Sequence, residues 1–175
     1  MEHRLEVILR LIKLEFNSLL EIGCDGNALP NLTILRALYP HVALVGCDKD
    51  ISSKGIERAD NLDILLKEVD LNDDSLPFIH QCFDVVLSSA VMMYLDDVTE
   101  LAKEIKRVTK KYIVISELDS FYYQDLSGPG VTRVARDYRS LFPDFNFEVI
   151  ESKKEVWPGS TYSDGLGKIL IGTKI

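Results

Sequence analysis

Long apolar runs are missing from this sequence. The longest, Ala90 to Leu95, falls far short of the roughly 20 residues that a membrane-spanning helix needs, so no membrane association is expected. Cysteine is scarce. Its three residues, an odd count without close pairing, argue against a disulfide framework and fit a reducing compartment. Cys24, Cys47 and Cys82 also lack the paired spacing of a zinc site, and no metal is expected. Histidine is rare as well: His3 is terminal, and His41 and His80 precede strands, so none is well placed to act as a base where strands end.

An excess of positive charge is absent too. Twenty Lys and Arg stand against 28 Asp and Glu, for a formal net charge of −8. Such a surface repels a phosphate backbone unless its bases cluster. The densest basic runs are Lys103, Lys106, Arg107, Lys110 and Lys111, and then Arg133, Arg136 and Arg139. Acids and helically spaced apolar positions interrupt both, which reads as solvated helix faces, and nucleic acid is disfavoured as a partner. No repeat, low-complexity tract or linker divides the 175 residues, so 1–175 reads as one domain. The opening Met-Glu-His-Arg, followed by Glu6, Arg10, Lys13 and Glu15, is no signal peptide and predicts a cytoplasmic protein.

What is present is an alternation of short β-rich runs with helical ones, the pattern of strands joined by crossover helices. Leu5, Ile8, Leu9, Ile12 and Phe16 predict an inward stripe on a first helix over 2–16. Strands are predicted at 18–22, 42–47, 64–69, 83–88 and 112–116. Helices are predicted at 28–38, 51–60, 96–109 and 131–142, with Pro30 in the first turn of its helix. The last two strands, 145–152 and 168–174, have no helical pattern between them and should form an antiparallel hairpin.

In open α/β sheets, ligands bind beyond the carboxyl ends of the strands. The first such end reads Leu20-Glu21-Ile22-Gly23-Cys24-Asp25-Gly26, a strand running into Gly-x-x-Gly and a helix, where backbone N–H groups can approach a ligand. The second strand ends at Asp48, whose carboxylate can accept both hydroxyls of a ribose. A nicotinamide enzyme shares these features, but its Gly-x-Gly-x-x-Gly pattern fails here, because position 25 is Asp and position 28 is Ala. Glu21 could favour a cationic amino group, and Asp70, ending the third strand, could bond an adenine amine.

Taken together, Leu20-Glu21-Ile22-Gly23-Cys24, Val45-Gly46-Cys47-Asp48, Val69-Asp70-Leu71 and Phe83-Asp84-Val85-Val86 resemble the successive motifs of S-adenosylmethionine-dependent methyltransferases with the seven-stranded Rossmann-like fold. The resemblance covers about 18–117 and extends through the closing hairpin. It implies a three-layer α/β sandwich with strand order 3-2-1-4-5-7-6, strand 7 antiparallel, and S-adenosylmethionine as cofactor. It also implies cofactor contacts from Glu21, Gly23, Cys24, Gly26, Asp48, Lys49, Asp70, Leu71 and Ser88, with Gly23 and Gly26 at the methionine portion, Asp48 at the ribose, Asp70 and Leu71 at the adenine, and Ser88 at the amino-acid end. The sequence departs from the usual Glu-x-Gly-x-Gly-x-Gly by running from Cys24 straight to Asp25-Gly26, which suggests a tighter turn.

The segments after strands four, five and six should form the acceptor pocket of a small molecule methylated at O, N or C. Tyr94, Tyr122, Tyr123, Trp157 and Tyr162 are its candidate walls, with Asp119 or Asp125 as polar contact and Asp119, Asp125 or Glu117 as the candidate base. The competing reading is a methyltransferase-like binding or regulatory module without turnover.

Overall fold

The computed structural model describes residues 2–72, 75–129, 133–151 and 166–175. Five parallel strands, β1 (Ser18–Ile22), β2 (Ala43–Asp48), β3 (Ile64–Glu68), β4 (Phe83–Ser89) and β5 (Thr109–Leu118), carry the sheet. A short β6–β7 ladder (Gln124–Asp125 with Val134–Ala135) stands apart from it. The chain then returns through β8 (Phe145–Glu151) and β9 (Gly167–Lys174), which pairs antiparallel with both β5 and β8. The spatial order is β3-β2-β1-β4-β5-β9-β8, so the sheet has the expected seven strands, order and closing hairpin.

Strand composition explains why the sheet is covered on both faces. Leu19, Leu20, Ile22, Val85 and Leu87 are fully buried, and successive residues alternate between two cores. Leu20, Ile22, Val86, Ile113 and Ile115 face one core, with Leu101 and Ile105 of α4 (Thr99–Val108). Leu19, Val85, Leu87 and Val114 face the other, with Val7, Ile8 and Leu11 of α1 (Glu2–Leu11) and Leu32 and Leu35 of α2 (Pro30–Leu38). A β-residue period of two sends neighbours to opposite faces, and a parallel sheet needs both faces apolar.

Two predicted helices differ from what forms. The first stops at Leu11 rather than 16, and its buried stripe is rotated: Val7, Ile8 and Leu11 pack inward while Leu5, Leu9 and Ile12 stay about half exposed. The segment predicted as a helix over 131–142 yields only one turn, α5 (Tyr138–Leu141), after strand β7. Val134, Ala135 and Arg136 are buried in succession, a pattern no helix face produces, and their backbone is drawn onto the end of β5. There Arg136 N donates to Leu118 O and Ser120 N donates to Arg136 O.

At the opposite end of the sheet, one guanidinium ties three segments together. Arg36 of α2 donates through Nε to Leu62 O at 2.8 Å and through Nη2 to Asp63 O at 2.6 Å. Its Nη1 reaches Pro40 O at 3.0 Å and Val42 O at 2.9 Å. The planar fork thus fixes the entry to β2 against the turn between α3 (Ser53–Asn61) and β3. Removing it as Arg36→Ala leaves several carbonyls without a donor and is expected to cost about 2–4 kcal/mol of stability. Arg36→Lys should recover only part of that, because an ammonium cannot span the same carbonyls. Chemical denaturation of the three proteins checks this, and an alanine variant as stable as wild type would contradict it.

Candidate functional site

The carboxyl ends of β1, β2 and β4 converge on one cavity of about 410 Å³, lined by Gly23, Asp25, Asp48, Lys49, Asp70, Leu71, Asn72, Ala90, Val91, Tyr94 and Leu95. Each wall has a local cause. After β1 the chain turns through Gly23 at φ 63° and Asp25 at φ 55°, and Cys24 N stays bonded to Cys47 O at 3.1 Å, so the turn hugs the end of β2. A Cβ on Gly23 would collide with Val91, which covers it from the β4 side. A Cβ on Gly26 would overlap the Asp50 carbonyl, and one on Gly55 would overlap the Gly26 carbonyl. Bare backbone is therefore what lets this turn nest against the start of α3.

Asp25 is the departure from the glycine pattern, and its conformation shows its nature. Counted from Glu21, the spacing Glu-x-Gly-x-Asp is complete, and Asp25 occupies a left-handed position. The turn is not shortened: an aspartate stands where a glycine would be easiest. The side chain helps hold that conformation, since its Oδ1 accepts from Ala28 N at 3.2 Å and Asn27 N at 3.4 Å, ahead of α2. Its own N–H donates to Asp48 Oδ2 at 3.0 Å, while Asp50 N reaches Asp48 Oδ1 at 3.3 Å. Two main-chain donors thus aim the Asp48 carboxylate at the cavity rim. Asp70 is held in the same way. Its Oδ1 accepts from both the N–H and the side-chain amide of Asn72 at 2.9 Å, and these bonds hold its carboxyl below the usual range.

The β4 wall is held from beneath. Glu117, fully buried near the end of β5, accepts from Ser88 Oγ at 2.7 Å, Val91 N at 2.8 Å and Met92 N at 3.1 Å through Oε1, and from Met93 N at 3.2 Å through Oε2. The three amides open a 3-10 turn at Met92–Tyr94, where unpaired N–H groups need an acceptor. Burial pushes the Glu117 carboxyl up despite these bonds. Just beyond, Arg136 Nη2 donates to Leu95 O at 2.6 Å. Ala90, at φ 55°, is a non-glycine residue kept in the left-handed region between these anchors.

Of the residues singled out from sequence for the cofactor, Gly23, Asp48, Lys49, Asp70 and Leu71 line the cavity. Gly26, Cys24, Glu21 and Ser88 do not. Gly26 packs on the Asp50 backbone, Cys24 is 1% exposed, and Ser88 is spent on Glu117. Glu21, 2% exposed, lies under the turn and accepts from Asn31 Nδ2 at 2.6 Å. Tyr94 is in the lining, but Tyr122 and Tyr123 are 80% and 66% exposed and outside it, and Trp157 and Tyr162 lie outside the described residues. Asp119 is corrected as a polar contact for an acceptor: it is fully buried in ion pairs with Arg139 at 3.0 Å and Lys168 at 3.5 Å. Asp125, exposed on β6 with Ser127 N on its Oδ1 at 2.9 Å, lies outside the cavity lining. Asn72, Ala90, Val91 and Leu95 were missed. Only their place after β3 and β4 could have pointed to them, because the apolar side chains of Ala90, Val91 and Leu95 carry no chemical signal and a single Asn72 beside a turn reads as turn chemistry.

The sequence model of a family described as a methyltransferase domain matches residues 20–114, more than half of the chain. No curated protein matches in sequence. Among solved structures, the chain is similar to an S-adenosylmethionine-dependent methyltransferase of Thermotoga maritima, at 18% identity over 99% of this chain and 88% of that one, with a TM-score of 0.66. It is also similar to the 1,6-didemethyltoxoflavin-N1-methyltransferase of Burkholderia thailandensis, solved with that compound and S-adenosylhomocysteine, at 11% identity, 98% and 76% coverage and a TM-score of 0.70. A third is the O-methyltransferase of a trans-AT PKS multienzyme from Brevibacillus brevis in complex with S-adenosylhomocysteine, at 12% identity, 97% and 70% coverage and a TM-score of 0.72.

Glu21 makes the site's surroundings sensitive to pH. Its Oε2 and the neighbouring Asn31 Oδ1 are buried acceptors without a partner, and burial raises its carboxyl from 4.5 to about 7. The folded chain therefore holds this proton more tightly than the unfolded one. The resulting stability is fully present below pH 4.5 and is lost as pH rises to about 7. The loss is on the order of 3 kcal/mol. Glu21→Gln keeps an acceptor for Asn31 without a charge, so its stability should gain on wild type across that window and level off above it. Thermal melts of both ligand-free proteins from pH 4 to 8 check this, and a constant difference would refute it.

Proposed function

The chain belongs to the S-adenosylmethionine-dependent methyltransferase family, with S-adenosylmethionine as its cofactor, and on that premise we propose that it transfers a methyl group to O, N or C of a small-molecule acceptor, using the cavity at the ends of β1, β2 and β4. The observation that carries the reading is the oriented Asp48 carboxylate beside the Gly23 turn, with Asp70 and Leu71 further along the same cavity. The cavity's volume is within the range of small-molecule sites, roughly 300–1,000 Å³. Its donor set also suits the cofactor: carboxylates that accept hydroxyl and amine protons and favour a ligand carrying a sulfonium and an ammonium. In this assignment Asp48 takes the ribose hydroxyls, Asp70 and Leu71 the adenine, and the Gly23 turn the methionine portion, with Lys49 at the rim.

When bound, S-adenosylmethionine supplies a methyl group already activated by its sulfonium. The protein's task is alignment and exclusion of water, which can provide most of the acceleration. Val91 and Ala90 form an apolar wall against the Gly23 turn. Tyr94, Leu95 and Asn72 are the lining residues left for the acceptor, with Tyr94 offering both a ring face and a hydroxyl. No histidine lines the cavity among the described residues, so an acceptor that must lose a proton would meet a carboxylate or Tyr94 rather than an imidazole.

Two measurements test the reading. Thermal shifts with S-adenosylmethionine, S-adenosylhomocysteine and NAD should show stabilisation by the first two alone, worth about 2.7 kcal/mol at a hundredfold excess over Kd. Stabilisation by NAD instead would overturn it. Asp48→Ala should weaken S-adenosylhomocysteine binding by roughly 10- to 150-fold, from the loss of charge-assisted bonds worth about 1.5–3 kcal/mol, in a protein that remains folded. Unchanged affinity by calorimetry would remove Asp48 from the ribose assignment.

A further inference from the structure

Glu117 lies outside the cavity, yet every bond its carboxylate makes runs to the end of β4 or the segment that follows it. Ser88 Oγ and the N–H groups of Val91, Met92 and Met93 all converge on its two oxygens. Ala90 N donates to Ser116 O at 2.9 Å just before it and Arg136 takes the Leu95 carbonyl at its far end, while the three amides between go to Glu117. Ala90, immediately before it, sits in the left-handed region, which is strained for a residue with a β-carbon and persists only where the surroundings impose it. The imposed conformation has one direct consequence at the site. It brings Val91 onto Gly23, so closely that Gly23 has no room for a side chain. We propose that Glu117 is a positioning residue for cofactor binding: by gathering three successive amides, it seats Val91 against the Gly23 turn and fixes the wall along which the cofactor lies. This rests on the assignment of the cofactor to that cavity.

The chemistry of the side chain makes the proposal specific. A carboxylate offers acceptors at both oxygens, whereas a glutamine offers one oxygen and turns N–H donors toward the remaining amide. Glu117→Gln can keep the three bonds now made by Oε1 and must lose the one from Met93. A leucine at 117 fills similar space and accepts none. Affinity should therefore fall in steps.

The experiment measures S-adenosylhomocysteine affinity by calorimetry, well below every melting temperature, for wild type, Glu117→Gln, Glu117→Leu and Asp84→Asn. Asp84 is the control: a buried carboxylate that accepts from Asn17 N at 2.8 Å at the other end of β4, remote from the cavity. Glu117→Gln is expected to bind about tenfold more weakly, the difference between charged and neutral acceptors, and Glu117→Leu more weakly still. Asp84→Asn should bind like wild type. Hydrogen exchange should quicken at Val91, Met92 and Met93 in the two Glu117 variants and not in Asp84→Asn. Should the leucine variant fail to fold, glutamine and the exchange rates still decide. Wild-type affinity in Glu117→Gln, or an equal loss in Asp84→Asn, overturns the proposal alone. A wild type that binds neither S-adenosylmethionine nor S-adenosylhomocysteine overturns the cofactor assignment first and the proposal with it.

Discussion

The turn after β1 and the first turn of α3 meet through bare backbone, with the Gly26 carbonyl against Gly55 and the Asp50 carbonyl against Gly26. The mutual placement of the β1 and β2 turns at the carboxyl edge of the sheet follows from that approach. With Ser52 N donating to Gly26 O at 3.1 Å, the β1 turn cannot move away from the β2 turn. Asp25 N–H is consequently delivered to the Asp48 carboxylate, and the left-handed geometry of Asp25 is the condition for it. A helix beginning at Ser53 then starts where its predecessor's turn allows, with Ser52 capping Gly55 N at 3.0 Å. Side-chain chemistry at the cavity is thus downstream of a steric fact about two glycines. Their spacing from Asp48 matters more to the site than any hydrogen bond within it.

Among the described residues four acids are buried in or beside the sheet, and each meets the cost of desolvation differently. Asp84 accepts a main-chain N–H and has Lys111 at 3.3 Å, so its carboxyl stays below the usual range. Asp119 is neutralised by two cations. Glu117 pairs with no cation among the described residues and relies on amides and a hydroxyl. Glu21 has a single donor and one oxygen without any, which is why its proton is held to near neutrality. The two with the poorest charge compensation are the two nearest the cavity. That arrangement is hard to explain by stability alone, because an apolar residue at either position would avoid the penalty.

The sheet was legible because parallel strands must be apolar on both faces, and runs such as Phe83-Asp84-Val85-Val86-Leu87 leave no other interpretation. The cavity's polar residues were legible for a related reason. Asp48 and Asp70 are acids immediately beyond such runs, and strand direction alone places both on one edge. The failures have physical causes too. The segment 131–142 carries helical spacing in Arg133, Arg136 and Arg139, but its conformation is decided by pairing with Leu118 and Ser120, which are remote in sequence. Asp119 and Asp125 looked like candidate bases because acids near aromatic residues resemble a site. Arg139 pairs with Asp119 and stands 4.4 Å over the Phe121 ring, which makes those two residues part of the packing, while Asp125 is taken up by its own turn at Ser127 N. Contacts made by residues far apart in the chain are what local spacing cannot report.

The cavity wall that follows β4 illustrates the same limit at its most consequential point. The segment Ala90–Leu95 belongs to β4 by sequence, yet both of its fastenings come from elsewhere. Glu117 holds it by its amides at Val91, Met92 and Met93, and Arg136 holds it by the carbonyl of Leu95. Arg136 is itself bridged to Asp119, so both fastenings are anchored on the last residues of β5 and their immediate continuation. A negative side chain takes the N–H end of the 3-10 turn and a positive one takes its carbonyl end, which matches each charge to the dipole of that turn. Met93 completes the attachment by packing with Leu118 and Ala135 in a small apolar cluster of its own. The position of Tyr94 and Leu95 relative to the Gly23 turn is therefore set by β5 and its extension, although β4 carries them. Substitutions at the end of β5 should accordingly alter the cavity more than conservative changes within the wall, whose side chains line the cavity but do not determine where the wall stands.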